Sequence, residues 1–164
     1  KTFLKFPGIL KKLGLGAFAE QKLSIKLEVD TNPPNGGRLT ETTLNKTYIF
    51  SVKHFDLPSM FATKLHACFF RKYTKGRDFY DLVWYLGRKV SPNIELLNNA
   101  VQQTEKKALG ITTANLKDFT LAKLERVDFN AAVTDVRRFI LDENELRAIN
   151  KNSLISLVSG MDWK

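Results

Sequence analysis

Residues 64–82 read KLHACFFRKYTKGRDFYDL, gathering a lysine, a basic turn and two aspartates into one short stretch. The first half has helical period: Phe61, Leu65, Cys68 and Phe69 fall within one apolar arc. Lys64 and Arg71 share a stripe along the edge of that arc. Lys72-Tyr73-Thr74-Lys75-Gly76 interrupts the helix with a glycine and two further cations. A second helix is expected to start near Arg77, with Phe79, Leu82, Val83 and Leu86 on its apolar side. Asp78, Asp81 and Tyr85 line the neighbouring stripe. Two helices joined by so short a turn must pack together, so a lysine on the first can face acids on the second. One basic and two acidic groups beside a basic turn suit phosphate and metal chemistry. The same residues also have an ordinary reading. Asp78 occupies a first helical turn, where the helix dipole alone favours a carboxylate, and Lys64 reads equally as a solvated residue at the edge of an apolar face.

The elements that must hold these residues emerge from periodicity. Residues 23–30, LSIKLEVD, alternate: Leu23, Ile25, Leu27 and Val29 take one face, Ser24, Lys26, Glu28 and Asp30 the other. This predicts a half-buried strand whose apolar side lies beneath helices and whose polar side faces the central helix pair. Glu28 and Asp30 project the same way and can share a divalent cation, although a solvated face accounts for them too. Residues 1–22 read as a basic lead-in with one helical turn around 9–13, and residues 31–45 as a loop rich in Pro, Gly and Asn. Residues 46–54 predict a second strand, antiparallel to the first. His54 and His66 show no metal-ligand spacing and read as surface or packing residues. Pro58 suits a first helical turn. Beyond it the pattern is helical: 92–107, 116–126, 130–142 and 143–159, with Ala132, Val136, Phe139 and Ile140 as the stripe of the third and Asp128 as its N-cap.

The 164 residues are enough for one ordinary domain, and 43% apolar content is enough for a core. No apolar run is long enough to span a membrane, and the opening KTFLKFPGILKK breaks its apolar run with charges, unlike a signal peptide. A single cysteine, Cys68, excludes an internal disulfide and a cysteine-rich zinc site, and fits a reducing compartment. A net charge of +9 favours nucleic acid or nucleotide phosphates as partners.

Several of these residues resemble a known family. Lys26-Leu27-Glu28-Val29-Asp30 resembles the second motif of the AbiEii/AbiGii toxin family of nucleotidyltransferases, and Thr31-Asn32-Pro33-Pro34 is similar to the segment after that motif in family members. Ala62-Thr63-Lys64-Leu65-His66-Ala67 resembles the third motif, built around one lysine on a helix. Lys75-Gly76-Arg77-Asp78-Phe79-Tyr80-Asp81-Leu82 resembles the fourth, an Arg-Asp-x-x-Asp signature, and residues 127–139 are similar to the C-terminal helices. The resemblance spans residues 6–160. It departs at Phe61, where the family has a glutamate, at Thr63, where it has a small residue, and at Lys75, where it has an arginine. The family's first motif, a Gly-rich turn with a serine and a metal-holding Asp-x-Asp pair, is not present and is expected upstream of Lys1. The chain is therefore expected to be the C-terminal part of the enzyme, catalytically silent by itself.

The resemblance implies an α+β, nucleotidyltransferase-like fold: a small antiparallel sheet remnant over residues 1–56, then a helical region over 57–164 packed on it as one continuous unit. It implies transfer of a nucleoside monophosphate from a nucleoside triphosphate to a hydroxyl acceptor such as tRNA, by a toxin of a bacterial toxin–antitoxin or abortive-infection (phage-defence) system. Magnesium and a nucleoside triphosphate are the expected cofactors. Lys64 is expected to hold triphosphate oxygens as a point charge, Asp78 to orient Lys64 or help at the metal, and Asp81 to support the turn. Lys26, Arg71 and Arg77, with Lys72 and Lys75, are expected to contact nucleotide or RNA phosphates, and Glu28 or Asp30 to add a metal ligand. The expected partners are the nucleoside triphosphate, tRNA or other RNA and an antitoxin protein, in the cytoplasm and without a membrane. The alternative is a basic helical module that binds RNA or an antitoxin without catalysis. A gene that encodes the Asp-x-Asp motif upstream of Lys1 would separate the two.

Overall fold

The computed structural model describes residues 2–15 and 21–163. The chain divides into two units, Lys1–Pro33 and Pro34–Lys164, so the division falls inside the 1–56 segment. In the first unit, β1 (Thr2–Pro7) leads into a single helical turn, α1 (Ile9–Lys12), and then β2 (Lys22–Leu27). β1 and β2 pair antiparallel, Thr2 opposite Leu27 and Pro7 opposite Lys22. Alternation places Leu4, Phe6, Leu23, Ile25 and Leu27 on one face and Lys5, Lys22 and Lys26 on the other.

Three expectations are corrected here. The strand stops at Leu27, so Glu28, Val29 and Asp30 lie beyond the ladder. Its apolar side is exposed and not half-buried: Leu23 is 37%, Ile25 45% and Leu27 47% exposed. Its partner is the segment 2–7, read as a lead-in, and not 46–54. The reason is local. β4 pairs with β3 across the short turn 46–48, which costs less loop-closure entropy than reaching back to β2, and KTFLKF carries its own alternation and takes β2 instead.

The second unit opens with a separate hairpin, β3 (Leu39–Asn45) and β4 (Ile49–Phe55), antiparallel with Leu39 opposite Phe55 and Glu41 opposite Lys53. Half of the expected loop is thus a strand. Thr40, Thr42 and Thr43 are β-branched and fit a pleated surface, which outweighed the turn residues that precede them. His54 is a sheet residue, with Nε2 2.8 Å from Thr42 Oγ1.

The rest of the unit is helical: α2 (Leu57–Phe70), α3 (Gly76–Gly87), α4 (Ile94–Glu105), α5 (Thr113–Leu124), α6 (Phe129–Val136), α7 (Glu143–Ala148) and α8 (Lys151–Ser159), with a 3₁₀ turn at Arg137–Phe139. The helix starts are written in capping residues that satisfy orphan N–H groups. Asp56 accepts from Ser59 N at 2.8 Å, with Pro58 in the first turn. Asn93 caps α4, Thr112 and Asn115 form a reciprocal box on α5, and Asp128 caps α6. The expected helix 143–159 is two helices because Asn150 caps its own, accepting from Ser153 N at 2.9 Å.

The core sits among these helices. Phe61 is fully buried and stacks on Tyr85 at 5.0 Å, with Trp163 at 6.4 Å. Leu65, Phe79, Leu82, Leu97, Leu116, Leu124 and Leu154 are buried around them, each side chain contributing about 1.5–3 kcal/mol on transfer from water. This packing fixes α3 against α2, and with it the lysine of one helix against the acids of the other.

Candidate functional site

Lys64 lies on the edge of α2 that faces α3. What brings α3 back against α2 is the seating of its first residue. A Cβ on Gly76 would stand 1.9 Å from the Ala132 carbonyl oxygen and 2.8 Å from Val136 Cβ, both of α6. Only glycine lets α3 begin so close to that helix. The Gly76 N–H donates to Asp135 Oδ2 at 2.9 Å, which satisfies one of the orphan donors of the helix start. Asp78 then falls in the first turn of α3, directly across from α2.

There Lys64 Nζ is 2.9 Å from Asp78 Oδ1 and 2.7 Å from Asp81 Oδ2, and Arg71 Nη1 donates to Asp78 Oδ2 at 2.6 Å. The two aspartates differ in burial: the Asp78 side chain is 8% exposed, that of Asp81 45%. Asp78 is thus the fixed anchor for two cations, whereas Asp81 holds Lys64 from the solvent side. The Cys68 thiol donates to the Asp78 carbonyl at 3.3 Å, and burial pushes its pKa well up, so it packs as an unreactive thiol.

Burial by itself pulls the Lys64 pKa down. The hydrogen bonds and charges of Asp78 and Asp81 outweigh it and leave the value above the ordinary 10.5. At neutral pH Lys64 is an ammonium, suited to hold an anion and not to act as a base. Because its folded value is raised, its stabilising contribution is fully present below pH 10.5 and lost as pH rises through the folded value. In thermal melts the stability gap between the parent and Lys64→Met is expected to hold up to pH 10.5 and to close as pH rises beyond it. A gap independent of alkaline pH would contradict the paired ammonium.

These side chains line a cleft of about 800 Å³. Lys64, Arg71, Lys75, Arg77, Asp78 and Asp81 form one wall; Val136, Phe139, Ile140, Asp142 and Glu145, from α6 to α7, form the other. The Arg77 guanidinium lies 5.2 Å from the Phe139 ring centroid, and Tyr80 Oη donates to Glu145 Oε2 at 3.0 Å across the cleft. Six of the residues expected to do chemistry (Lys64, Arg71, Lys75, Arg77, Asp78 and Asp81) therefore share one concavity, and Lys72 does not line it. Lys26, Glu28 and Asp30 belong to the other unit. Lys26 pairs with Glu28 at 2.7 Å, and Asp30 Oδ1 accepts from Asn32 N at 3.0 Å. Among the described residues there is no group of three or more His, Cys, Asp or Glu placed to hold a metal. His66 packs: it stacks on Phe70 at 5.4 Å and bonds Thr104 Oγ1 at 2.9 Å, and burial lowers its pKa.

The far wall differs from the sequence expectation. Phe139 and Ile140 fit the stripe of a helix over 130–142, but α6 ends at Val136 and the chain tightens into the 3₁₀ turn. Ala132 and Val136 are buried as expected, whereas Phe139 is 54% exposed. Asp135, Tyr80 and Glu145 carry no signal of their own in the sequence, because their roles depend on elements distant along the chain.

A model of the nucleotidyl transferase AbiEii toxin family, from type IV toxin–antitoxin systems, matches residues 2–151. The chain belongs to the AbiEii family. No curated protein and no solved structure matches it. In this AbiEii chain the departure at Phe61 has a structural use, since its ring is the centre of the Tyr85–Trp163 stack. Lys75, which stands where the family motif has arginine, lines the cleft. No helix among the described residues is long and apolar enough to cross a membrane.

Proposed function

We propose that this AbiEii-family protein transfers a nucleoside monophosphate from a nucleoside triphosphate to a hydroxyl acceptor such as tRNA, with Lys64 as the residue that holds the triphosphate. The observation that carries this reading is an ammonium fixed by two carboxylates in a cleft large enough for a nucleotide. An incoming polyphosphate competes with the exposed Asp81 for Lys64, while the buried Asp78 keeps the amine in place. Arg71 stays on Asp78 and adds positive potential. Lys75 and Arg77 lie on the same wall and meet outer phosphate oxygens. A preorganised charge of this kind stabilises the negative charge that accumulates on the leaving pyrophosphate.

Magnesium, which the family implies, does not fit this cluster. Both Asp78 oxygens are engaged by cations and Asp81 is held by Lys64. In this reading the ion is held by carboxylates outside the cluster, as in the Asp-x-Asp motif of the family, and supplies charge neutralisation at the phosphates.

The test incubates the protein expressed from its complete gene with magnesium, each labelled nucleoside triphosphate and total tRNA. Label in RNA is the expected result. RNA retained without label would favour a non-catalytic binding module. The two aspartates should separate in the same assay. Asp78→Asn leaves two partly buried cations without their anchor, a loss of about 1–3 kcal/mol, or about fivefold to 150-fold in transfer. Asp81→Asn removes a solvent-exposed pairing worth at most about 1 kcal/mol. Equal losses at the two positions would contradict the assigned division of labour.

A further inference from the structure

The wall of the cleft opposite Lys64 carries a feature that phosphate binding does not use. Where α6 gives way to the 3₁₀ turn, the chain turns Phe139 outward, 54% exposed, beside Ile140 and a fully exposed Leu141. Two guanidiniums flank its ring: Arg138 at 4.7 Å and Arg77 at 5.2 Å from the centroid. Arg77 comes from α3, so this aromatic–cation group spans the two walls. An exposed phenyl ring with planar cations beside it, continuous with an anion-holding lysine, is the pairing of surfaces that a nucleotide requires: a stacking platform at one end and a point charge at the other. Glu145, held by Tyr80, and Asp142 line the same wall and offer carboxylate oxygens to the edge of a stacked base.

We propose that this wall is the nucleobase subsite, in which Phe139 with Arg77 and Arg138 stacks the base of the nucleotide whose phosphates reach Lys64. The proposal rests on the triphosphate reading of Lys64 and adds where the rest of the ligand lies. Ile140 packs against the core, whereas the exposed Phe139 then serves to cover the base. Base stacking tolerates any base, so the subsite sets affinity first.

Calorimetric titration of the protein expressed from its complete gene, in magnesium, with each of the four nucleoside triphosphates, and separately with inorganic tripolyphosphate, distinguishes the two ends. Phe139→Ala is expected to raise the Kd of a bound nucleoside triphosphate about tenfold and to leave tripolyphosphate unchanged, while Phe139→Tyr, which keeps the ring, stays within about twofold. Lys64→Ala is expected to weaken both ligands. If Phe139→Ala changes neither ligand, or both equally, the base subsite is overturned, and a Lys64 effect on both ligands leaves the triphosphate reading standing. If Lys64→Ala changes neither ligand, the triphosphate reading fails whatever Phe139 does. No binding of any nucleotide or of tripolyphosphate overturns both.

Discussion

Lys64→Ala, in the protein expressed from its complete gene, is expected to lower nucleotidyl transfer about a hundredfold to a thousandfold, the scale seen when one preorganised electrostatic contact is deleted from an active site. Toxicity is expected to disappear with it. The fold should survive. Asp78 keeps Arg71 at 2.6 Å, and the carboxylate freed from Lys64 on the other side, Asp81, already has an exposed side chain. The stability cost is about 1–3 kcal/mol, because the buried Asp78 loses one of its two cations but keeps the other. Lys64→Arg is expected to fail as well. The amine is held 2.9 Å and 2.7 Å from two separate carboxylates, a geometry made for a compact ammonium and not for a longer planar fork. Transfer rates and melting curves on the same preparations check both statements. A folded Lys64→Ala variant with full activity would sink the proposed role.

The second large effect is structural. Gly76→Ala places a methyl group 1.9 Å from a backbone carbonyl of α6, which no side-chain rotation relieves. Either α3 moves off α6 or α6 shifts along its axis, and both disturb the Asp135 hydrogen bond and the buried Val136 contact. The expected cost is about 3 kcal/mol or more, at the upper end of overpacking, which lowers the melting temperature by about 6–12 °C for a chain of this size. Asp78 and Asp81 ride on the displaced helix, so the pairing with Lys64 should loosen too, and transfer should fall even at temperatures where the variant is folded. Asp135→Ala, which removes the cap without a clash, should cost only about 1 kcal/mol. A Gly76→Ala variant as stable as the parent would mean that α3 does not start where the structure places it.

Much of the site was legible because its information is local. Lys64, Arg71, Asp78 and Asp81 all lie within one helix–turn–helix stretch. Helical period puts the lysine at an apolar edge and the acids on one stripe, and a short turn with a glycine forces the two helices together. The Arg-Asp-x-x-Asp signature and the lysine-centred motif sit in the same stretch, which is why the resemblance to the AbiEii family and the physical reading pointed to the same residues. The starts of α2 and α6 were legible for a similar reason, since Pro58 marks a first turn and Asp128 caps within three residues of itself.

What the chain's periodicity did not decide was which strand pairs with which, and what faces the cleft from across it. Alternation marks residues 23–30 as a strand but says nothing about the partner. Loop-closure entropy favoured the adjacent β3 over β2 as the partner of β4, β1 took β2, and Glu28 and Asp30 were left past the end of a ladder in the smaller unit. Phe139 carries the same sequence signal as the buried Val136. Whether such an apolar residue becomes core or cleft wall depends on where α6 stops, and that depends on the 3₁₀ turn and on the neighbours of α6 in space. Gly76 likewise reads as a helix breaker in sequence. Only the approach of α6 makes it the position at which no side chain fits, because steric exclusion between elements some sixty residues apart is a property of packing and is not written in any local pattern.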